Sequence, residues 1–565
     1  MKFNDYIYER PVIDTVKAQY NMLIENFNFS QNAQEQLAII NEINKFSKNL
    51  DTMANLVAIR HSINTEDQFY DNENEYMDNA GPIFQGLTVD YYKALINSKF
   101  KDELKKKIPL QYFTMAEMEI KTFSEEVVED LQEENKLESE YDKLISSAKI
   151  NFDNKTLNLS QMQPYMQSLN REIRKEAYEK YTGFFEANME KFDEIFDKMV
   201  KVRNKIAVKL GYKNFVELGY IRMHRSEYGA KEVESYRNQV LKYIVPISNE
   251  LRIRQANRLN IDNFKYYDKD LDFTTGNAKP KGGKDWMLER AKKMYSEISP
   301  ETDEFFKFMI EKDLFDLETK PNKQSGGYCT FIQNYKSPFI FANFNGTSGD
   351  VDVLTHEAGH AFQVYESRNI EFPELIFPTY EACEIHSMSM EFITWPWMNL
   401  FFEENELKYK FSHLSSALLF IPYGVTVDEF QHKIYENPNL TPNERRKTWR
   451  EIEKKYLPWL DYENNKFYNE GGYWFKQGHI FGNPFYYIDY TLAQVCSFQY
   501  WVKFNLGDRQ KAWGEYLNLC KVGGSKPFLQ LLQEGNLQSP FEDSTIESVI
   551  IPIKNYLDSV DDTKL

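Results

Sequence analysis

The sequence predicts a mainly α-helical protein with more than one lobe and a single small β-sheet. Its 565 residues exceed the size at which one hydrophobic core stops growing. From residue 12 to about residue 259, apolar residues recur at intervals of three and four with few glycines or prolines, which is typical of successive amphipathic helices. Strand-like segments, short and aromatic, are concentrated at residues 325–344. We therefore expect helices to form most of the fold.

Taken in order, the helical first half has two loop-like passages. Residues 151–159 cluster Asn, Asp and Thr and predict an internal boundary. Long helices are expected over residues 169–210 and 230–259, and no strand is expected here. Residues 267–285 are the most loop-like passage of the chain and are predicted to connect lobes.

Two aromatic segments, residues 325–331 and 338–344, are bounded by turn residues and predict paired strands. The free edge of such a sheet could pair with an extended peptide backbone. A sheet that only packs against the neighbouring helix is an equally supported alternative. From residue 345 to the C-terminus the pattern is again helical.

The composition excludes several classes of partner. A net charge of −18 and a pI near 5.2 argue against nucleic acid and anionic membranes, both of which require a basic surface. The 4 cysteines form no C-x-x-C pair, so a disulfide framework is not expected and a reducing cytoplasm fits best. The longest apolar runs, residues 392–402 and 417–425, are about half the length that a membrane span needs.

The motif with the clearest chemistry is H-E-x-x-H at residues 356–360. On a helix, His356 and His360 lie one turn apart on the same face and can bind one metal ion. Glu357 beside them can hold a water molecule, which completes the minimum set for zinc-assisted hydrolysis. The alternative is a core helix with two incidental histidines.

A third metal ligand is expected from a second helix at residues 378–391. Glu384 is the predicted ligand and Glu381, which shares its face, is the alternative. Glu391 lies on the same face two turns later and can orient a metal-binding histidine without binding the metal itself. His386 is interpreted as a hydrogen-bonded core histidine.

Donors for the oxyanion of a tetrahedral intermediate are expected near residues 478–490. If a helix starts near Pro484, the phenols of Tyr487 and Tyr490 lie on one face, with His479 in the loop before it. A plain aromatic core stripe is the alternative.

Together these motifs resemble the thimet oligopeptidase / oligoendopeptidase F family of zinc metallopeptidases. Residues 202–207, 210–215 and 220–223 are similar as well, so the resemblance covers about residues 190–530. Before about residue 110 the chain is similar only in being helical.

The resemblance implies a two-lobed, clam-like helical zincin with a small β-sheet beside the H-E-x-x-H helix and a deep central channel. Such a channel admits short unfolded peptides and excludes folded proteins. We expect an N-terminal helical lobe over residues 1–190 and a catalytic lobe with the zinc site over residues 191–565.

The resemblance also implies roles at matching positions, with one Zn²⁺ ion as cofactor. The zinc ligands would be His356, His360 and Glu384. Glu357 would be the general base. The side chains that stabilise the transition state would be His479, Tyr487 and Tyr490. The thimet branch has a further tyrosine where this chain has Asn483 and Pro484, so that position is left out.

The sequence thus predicts a cytoplasmic, zinc-dependent endopeptidase that cuts short unfolded oligopeptides at internal bonds. A zinc carboxypeptidase on the same scaffold is one alternative, and it would need a fixed cation to hold a terminal carboxylate. A catalytically silent peptide-binding protein is another, although a binder has no use for Glu357 beside the metal. A His/His/carboxylate site suits zinc, and similar sites accept cobalt or manganese.

Overall fold

The computed structural model describes residues 1–565 and is dominated by α-helices, as predicted. The helices of the first half are α1 (Ile13–Phe29), α2 (Ala33–Ile63), α3 (Gln68–Ile96), α4 (Lys101–Leu104), α5 (Leu110–Thr122), α6 (Val128–Ser146), α7 (Leu159–Met166), α8 (Arg171–Ala187), α9 (Met189–Lys209), α10 (Phe215–Arg222), α11 (Ala230–Gln239) and α12 (Val245–Arg258). The helices of the second half are α13 (Lys284–Ile298), α14 (Pro300–Lys312), α15 (Gly349–Ser367), α16 (Tyr380–Ile393), α17 (Asn399–Phe402), α18 (Glu406–Glu436), α19 (Pro442–Tyr456), α20 (Lys466–Asn469), α21 (Gly478–Gly482), α22 (Tyr487–Leu506), α23 (Arg509–Val522), α24 (Phe528–Glu534) and α25 (Thr545–Ser559).

Both long helices expected in the first half are interrupted. Asn188 ends α8 and begins α9 with a non-helical backbone, which divides the helix expected over residues 169–210. Between α11 and α12 the chain makes a π-helical turn, Val240–Ile244. Pro246, in the first turn of α12, has no N–H to donate to the preceding turn, so regular α-helical bonding cannot run through this point.

Five strands form two small sheets. A hairpin of β1 (Ile150–Phe152) and β2 (Lys155–Leu157) lies where only a loop was expected, because three-residue strands are too short to show alternation. The second sheet contains β3 (Phe315–Glu318), β4 (Tyr328–Ile332) and β5 (Ser337–Phe344). The predicted pair β4 and β5 is antiparallel, and β3 adds to β5 in parallel. The order β3-β5-β4 leaves β4 at an edge of the sheet.

The apolar interior has two main parts. A cluster of 18 buried residues belongs mostly to α1–α5 and includes two residues from the 372–375 turn. A cluster of 116 buried residues joins the remaining helices and both sheets, together with a few residues of α2 and α3. The division of the chain at residue 190 stays a prediction. None of the helices combines the length and the apolar character of a membrane-spanning segment.

Helix α15, which carries the H-E-x-x-H motif, is held between the sheet and α16. Strand β5 packs against α15 on one side, and α16 packs against both α15 and α22. The backbones of α15 and α16 approach so closely at Gly359 that a Cβ there would lie 2.6 Å from the Cα of Ser387. The small sheet beside the motif helix is therefore confirmed, and the two helices expected to share the metal are in direct contact.

Candidate active site

The three predicted metal ligands converge on one point. His356 and His360 lie one turn apart on α15, and Glu384 reaches them from α16. Oε2 of Glu384 lies 3.2 Å from Nε2 of His356 and 3.3 Å from Nε2 of His360. The ligand atoms of the three residues lie within 4.8 Å of one another. Two imidazole nitrogens and a carboxylate oxygen form a donor set that fits Zn²⁺.

Hydrogen bonds fix the carboxylate of Glu384 from two directions. Oη of Tyr486 donates to Oε1, and Oγ of Ser387 donates to Oε2 over 2.9 Å. Glu381, the alternative ligand, is instead engaged by Oη of Tyr228 at 2.5 Å and is not part of the converging group. Burial raises the pKa of the Glu381 carboxyl. Glu384 is therefore the carboxylate that this geometry offers to a metal.

Glu357 is buried beside the converging ligands, with an exposed fraction of 5%. Its Oε2 has no hydrogen-bond partner, although the side chain lines a cavity. Burial raises the pKa of this carboxyl, while His356 and His360 oppose the rise. A carboxylate that lines a cavity and has no hydrogen-bond partner can accept a proton from a water molecule.

Two cavities adjoin at this point. One, of about 570 Å³, is lined by the metal-site residues together with α2, α3, α5 and β4. The other, of about 670 Å³, extends towards α6, α7 and the residues before α15. Both are lined by Gly327, Tyr328, Tyr486 and Tyr490. The start of the edge strand β4 thus borders both cavities.

The late aromatic segment brings His479 and Tyr490 together. Nε2 of His479 lies 3.0 Å from Oη of Tyr490, and Nε2 of Gln477 lies 2.9 Å from its Nδ1. If the Gln477 amide donates to Nδ1, the imidazole proton is on Nε2 and points at Tyr490. Burial lowers the pKa of His479 to about 4, so the imidazole is neutral. His479 lies in the single turn of α21, and the expectation of a loop at this residue is wrong.

Tyr487 occupies a different environment from Tyr490. Its ring packs edge-on against Phe420 and Tyr423, each with a centroid distance of 5.8 Å, and it lines neither cavity. Its ring also lies 5.1 Å from that of His479. The role that the resemblance gave to Tyr487 stays a prediction.

Two stretches of the chain match models of one known protein family. The family model described as "Peptidase M3 N-terminal domain" matches residues 3–123, and the model described as "Peptidase family M3" matches residues 164–550. The chain belongs to peptidase family M3. The match to the first helices extends the similarity to a region where the sequence motifs gave none.

This M3 chain is similar to a curated oligoendopeptidase F and to solved structures of peptidases. Oligoendopeptidase F, chromosomal, from Lactococcus lactis subsp. cremoris is 26% identical over 374 residues, which are 64% of this chain and 59% of the relative. The match thus spans about three fifths of that relative's length. A solved structure of PZ peptidase A with inhibitor 2 is 55% identical, with a TM-score of 0.99 and full coverage of both chains. Oligoendopeptidase-F from Enterococcus faecium, 15% identical with a TM-score of 0.63 over 98% of this chain and 99% of that one, shares the fold.

Tyr486 is a candidate site residue that the sequence motifs did not indicate. Tyr486 immediately precedes α22, lines both cavities and donates to Glu384. Its ring also stacks on His479 with a centroid distance of 5.7 Å. The available signal was its i, i+4 spacing from Tyr490, which favours the same helical face as much as the i, i+3 spacing of Tyr487 does.

Proposed function

We propose that this chain is a zinc-dependent endopeptidase that hydrolyses short unfolded oligopeptides at internal bonds. The observation that carries the proposal is the convergence of His356, His360 and Glu384 beside the unpartnered carboxylate of Glu357, in a cavity that adjoins a second one. A peptide lying in both cavities would extend to either side of the metal site. Membership of peptidase family M3 supports the same reaction class.

The three converging residues would hold Zn²⁺. When bound, zinc lowers the pKa of a coordinated water and polarises the substrate carbonyl. Glu357 would take the proton from the attacking water and pass it to the leaving amine. The unpartnered Oε2 of Glu357 supports this role because no protein donor occupies that oxygen.

Hydrogen-bond donors that stabilise the oxyanion would come from α21 and α22. His479 donates to the phenol oxygen of Tyr490, which leaves the Tyr490 hydroxyl proton free to face an oxyanion. Burial raises the pKa of Tyr490 well above its ordinary value, so the phenol keeps that proton. The edge strand β4, whose residues line the first cavity, would pair with an extended peptide and hold the scissile bond near these donors.

The alternatives have less support. A carboxypeptidase needs a fixed cation for the terminal carboxylate, yet Lys476 is the only Lys or Arg that lines the two cavities. Its Nζ already donates to Oη of Tyr473 at 3.1 Å. A silent peptide-binding protein would not need Glu357. All four cysteines are free, which supports the cytoplasm as the compartment.

The test compares the wild type with Glu357→Gln on an internally quenched peptide of about ten residues, with bound zinc quantified in both proteins. We expect internal cleavage by the wild type, and a loss of about 10²–10⁴-fold in kcat for the variant with zinc retained. Glu366→Gln, on the same helix but away from both cavities, is the matched control and should cleave normally. The proposal fails if the wild type binds zinc and cuts no peptide.

A further inference from the structure

A chain of hydrogen bonds runs from His356 away from the cavity. Nδ1 of His356 lies 2.7 Å from Oε1 of Glu391, and Oε2 of Glu391 lies 2.7 Å from Nε2 of His413. On the far side of the imidazole, the indole N–H of Trp395 donates to Nδ1 of His413 over 2.9 Å. Four side chains from α15, α16, the turn after α16 and α18 are thereby joined in one line.

The direction of each hydrogen bond follows from the chemistry of the donors. An indole N–H can only donate, so Nδ1 of His413 must accept. The imidazole proton of His413 is then on Nε2 and is donated to Glu391. Nδ1 of His356 lies within hydrogen-bond distance of the other oxygen of Glu391. Glu391 is therefore a carboxylate with a donor on each oxygen.

The His413 ring has little freedom to move. Its side chain is 7% exposed, and the ring of Tyr409 stacks on it at a centroid distance of 5.4 Å and an interplanar angle of 8°. Oη of Tyr409 donates to Asp352 over 2.6 Å, which ties this stack to the first turn of α15. Phe392 packs on the imidazole at 5.1 Å. The donor that His413 presents to Glu391 is therefore held in a fixed position.

We propose that His413 is a positioning residue for the metal centre. By occupying Oε2 of Glu391, it prevents the carboxylate from rotating and keeps Oε1 on Nδ1 of His356. That hydrogen bond fixes the His356 tautomer, so that Nε2 is free to bind the metal. The inference rests on the metal site of the proposed function, and it assigns a role to a residue 57 positions beyond His356 that the motifs did not include.

Two isosteric substitutions of His413 test the role of its Nε2 proton. The amide nitrogen of glutamine reaches the place of Nε2, whereas that of asparagine reaches only the place of Nδ1. We expect His413→Gln to bind zinc within about threefold of the wild type, and His413→Asn to bind it about 10–100-fold more weakly. Zinc dissociation constants come from competition with a chromophoric chelator, and the visible spectrum of the Co²⁺-loaded proteins reports the ligand geometry.

The variant Glu391→Gln tests whether His413 acts through Glu391. This substitution leaves the packing of His413 in place and should weaken zinc binding by itself. Because His413 acts through Glu391, adding His413→Asn to Glu391→Gln should cause little further loss. Melting temperatures of the metal-free proteins separate this effect from a general loss of stability.

The outcomes distinguish this inference from the proposed function. If the wild type binds no zinc, the metal site and the inference both fall. If the wild type binds zinc and His413→Asn binds it equally well, only the inference is overturned. The same holds if His413→Gln and His413→Asn weaken binding equally, or if the effects of the two sites simply add.

Discussion

Replacing Gly359 with alanine should disturb the proposed metal site, although Gly359 is not one of its proposed ligands. Gly359 lies between Glu357 and His360 on α15, where the backbones of α15 and α16 meet. A Cβ at this position would lie 2.6 Å from the Cα of Ser387, 2.7 Å from the carbonyl oxygen of His386 and 2.9 Å from the Cβ of Met390. Two of these atoms belong to the backbone and cannot swing aside.

The size of the effect follows from these distances. Ordinary Cβ contacts begin near 3.4 Å, so the two helices must separate by about 0.8 Å at the closest contact. Overpacking of this kind costs about 1–3 kcal/mol of stability. Glu384 lies three residues before Ser387 on α16, so it would move away from His356 and His360 by a similar amount. A misplacement of about 1 Å can cost about 10²-fold in rate.

The assay combines zinc affinity, kcat/KM on the quenched peptide and the melting temperature. The control is Gly183→Ala in α8, where nothing lies within 4 Å of the added Cβ. It should keep full activity and gain about 0.5–1 kcal/mol of stability from the helix preference of alanine. If Gly359→Ala retains wild-type zinc affinity and activity, the close contact of α15 and α16 does not set the geometry of the site.

Three further predictions concern single side chains. Tyr486→Phe removes the donor to Oε1 of Glu384 and should weaken zinc binding by about tenfold, and unchanged affinity in the chelator competition would contradict this. Arg203→Met removes a fully buried partner of Glu134, so the free energy of unfolding in urea should fall by about 3 kcal/mol; a loss below about 1 kcal/mol would refute it. Burial lowers the pKa of His479 to about 4 in the folded chain, so between pH 6.5 and 4 the imidazole binds a proton in the unfolded chain but not in the folded one. The free energy of unfolding should therefore fall by up to about 3 kcal/mol as the pH decreases from 6.5 towards 4. His479→Gln should lose that part of the pH dependence in melting experiments, and a slope that persists would point to other groups.

The sequence was most informative where the chemistry is local. An i, i+4 pair of histidines needs only a helix to converge, and the helix signals around His356 were clear. Glu384 could be chosen because the second helix has a distinct start. The strands at β4 and β5 were visible because turns bound them, whereas β3 was missed because its four residues Phe-Asp-Leu-Glu show no turn signal.

The choice between Tyr486 and Tyr487 could not be made from spacing, because distant residues decide it. Phe485, just before them, has a positive φ of 68°, a conformation that a bulky residue adopts only when its surroundings impose it. Its N–H donates to Oε1 of Gln431 over 2.8 Å, its carbonyl accepts from the Arg225 guanidinium, and its ring fills the space beside Gly219.

This constrained residue accounts for the orientation of the aromatic pair. After Phe485, Tyr486 donates to Glu384, and α22 begins at Tyr487, which packs against α18. The contacts that impose the positive φ of Phe485 come from α10, α18 and the turn after α10, more than 50 positions away along the chain. Local periodicity therefore identifies which residue types are near the site, but the tertiary contacts of Phe485 determine which phenol reaches Glu384. A substitution that relaxes Phe485 should thus act on Glu384 through Tyr486, although Phe485 itself lines neither cavity.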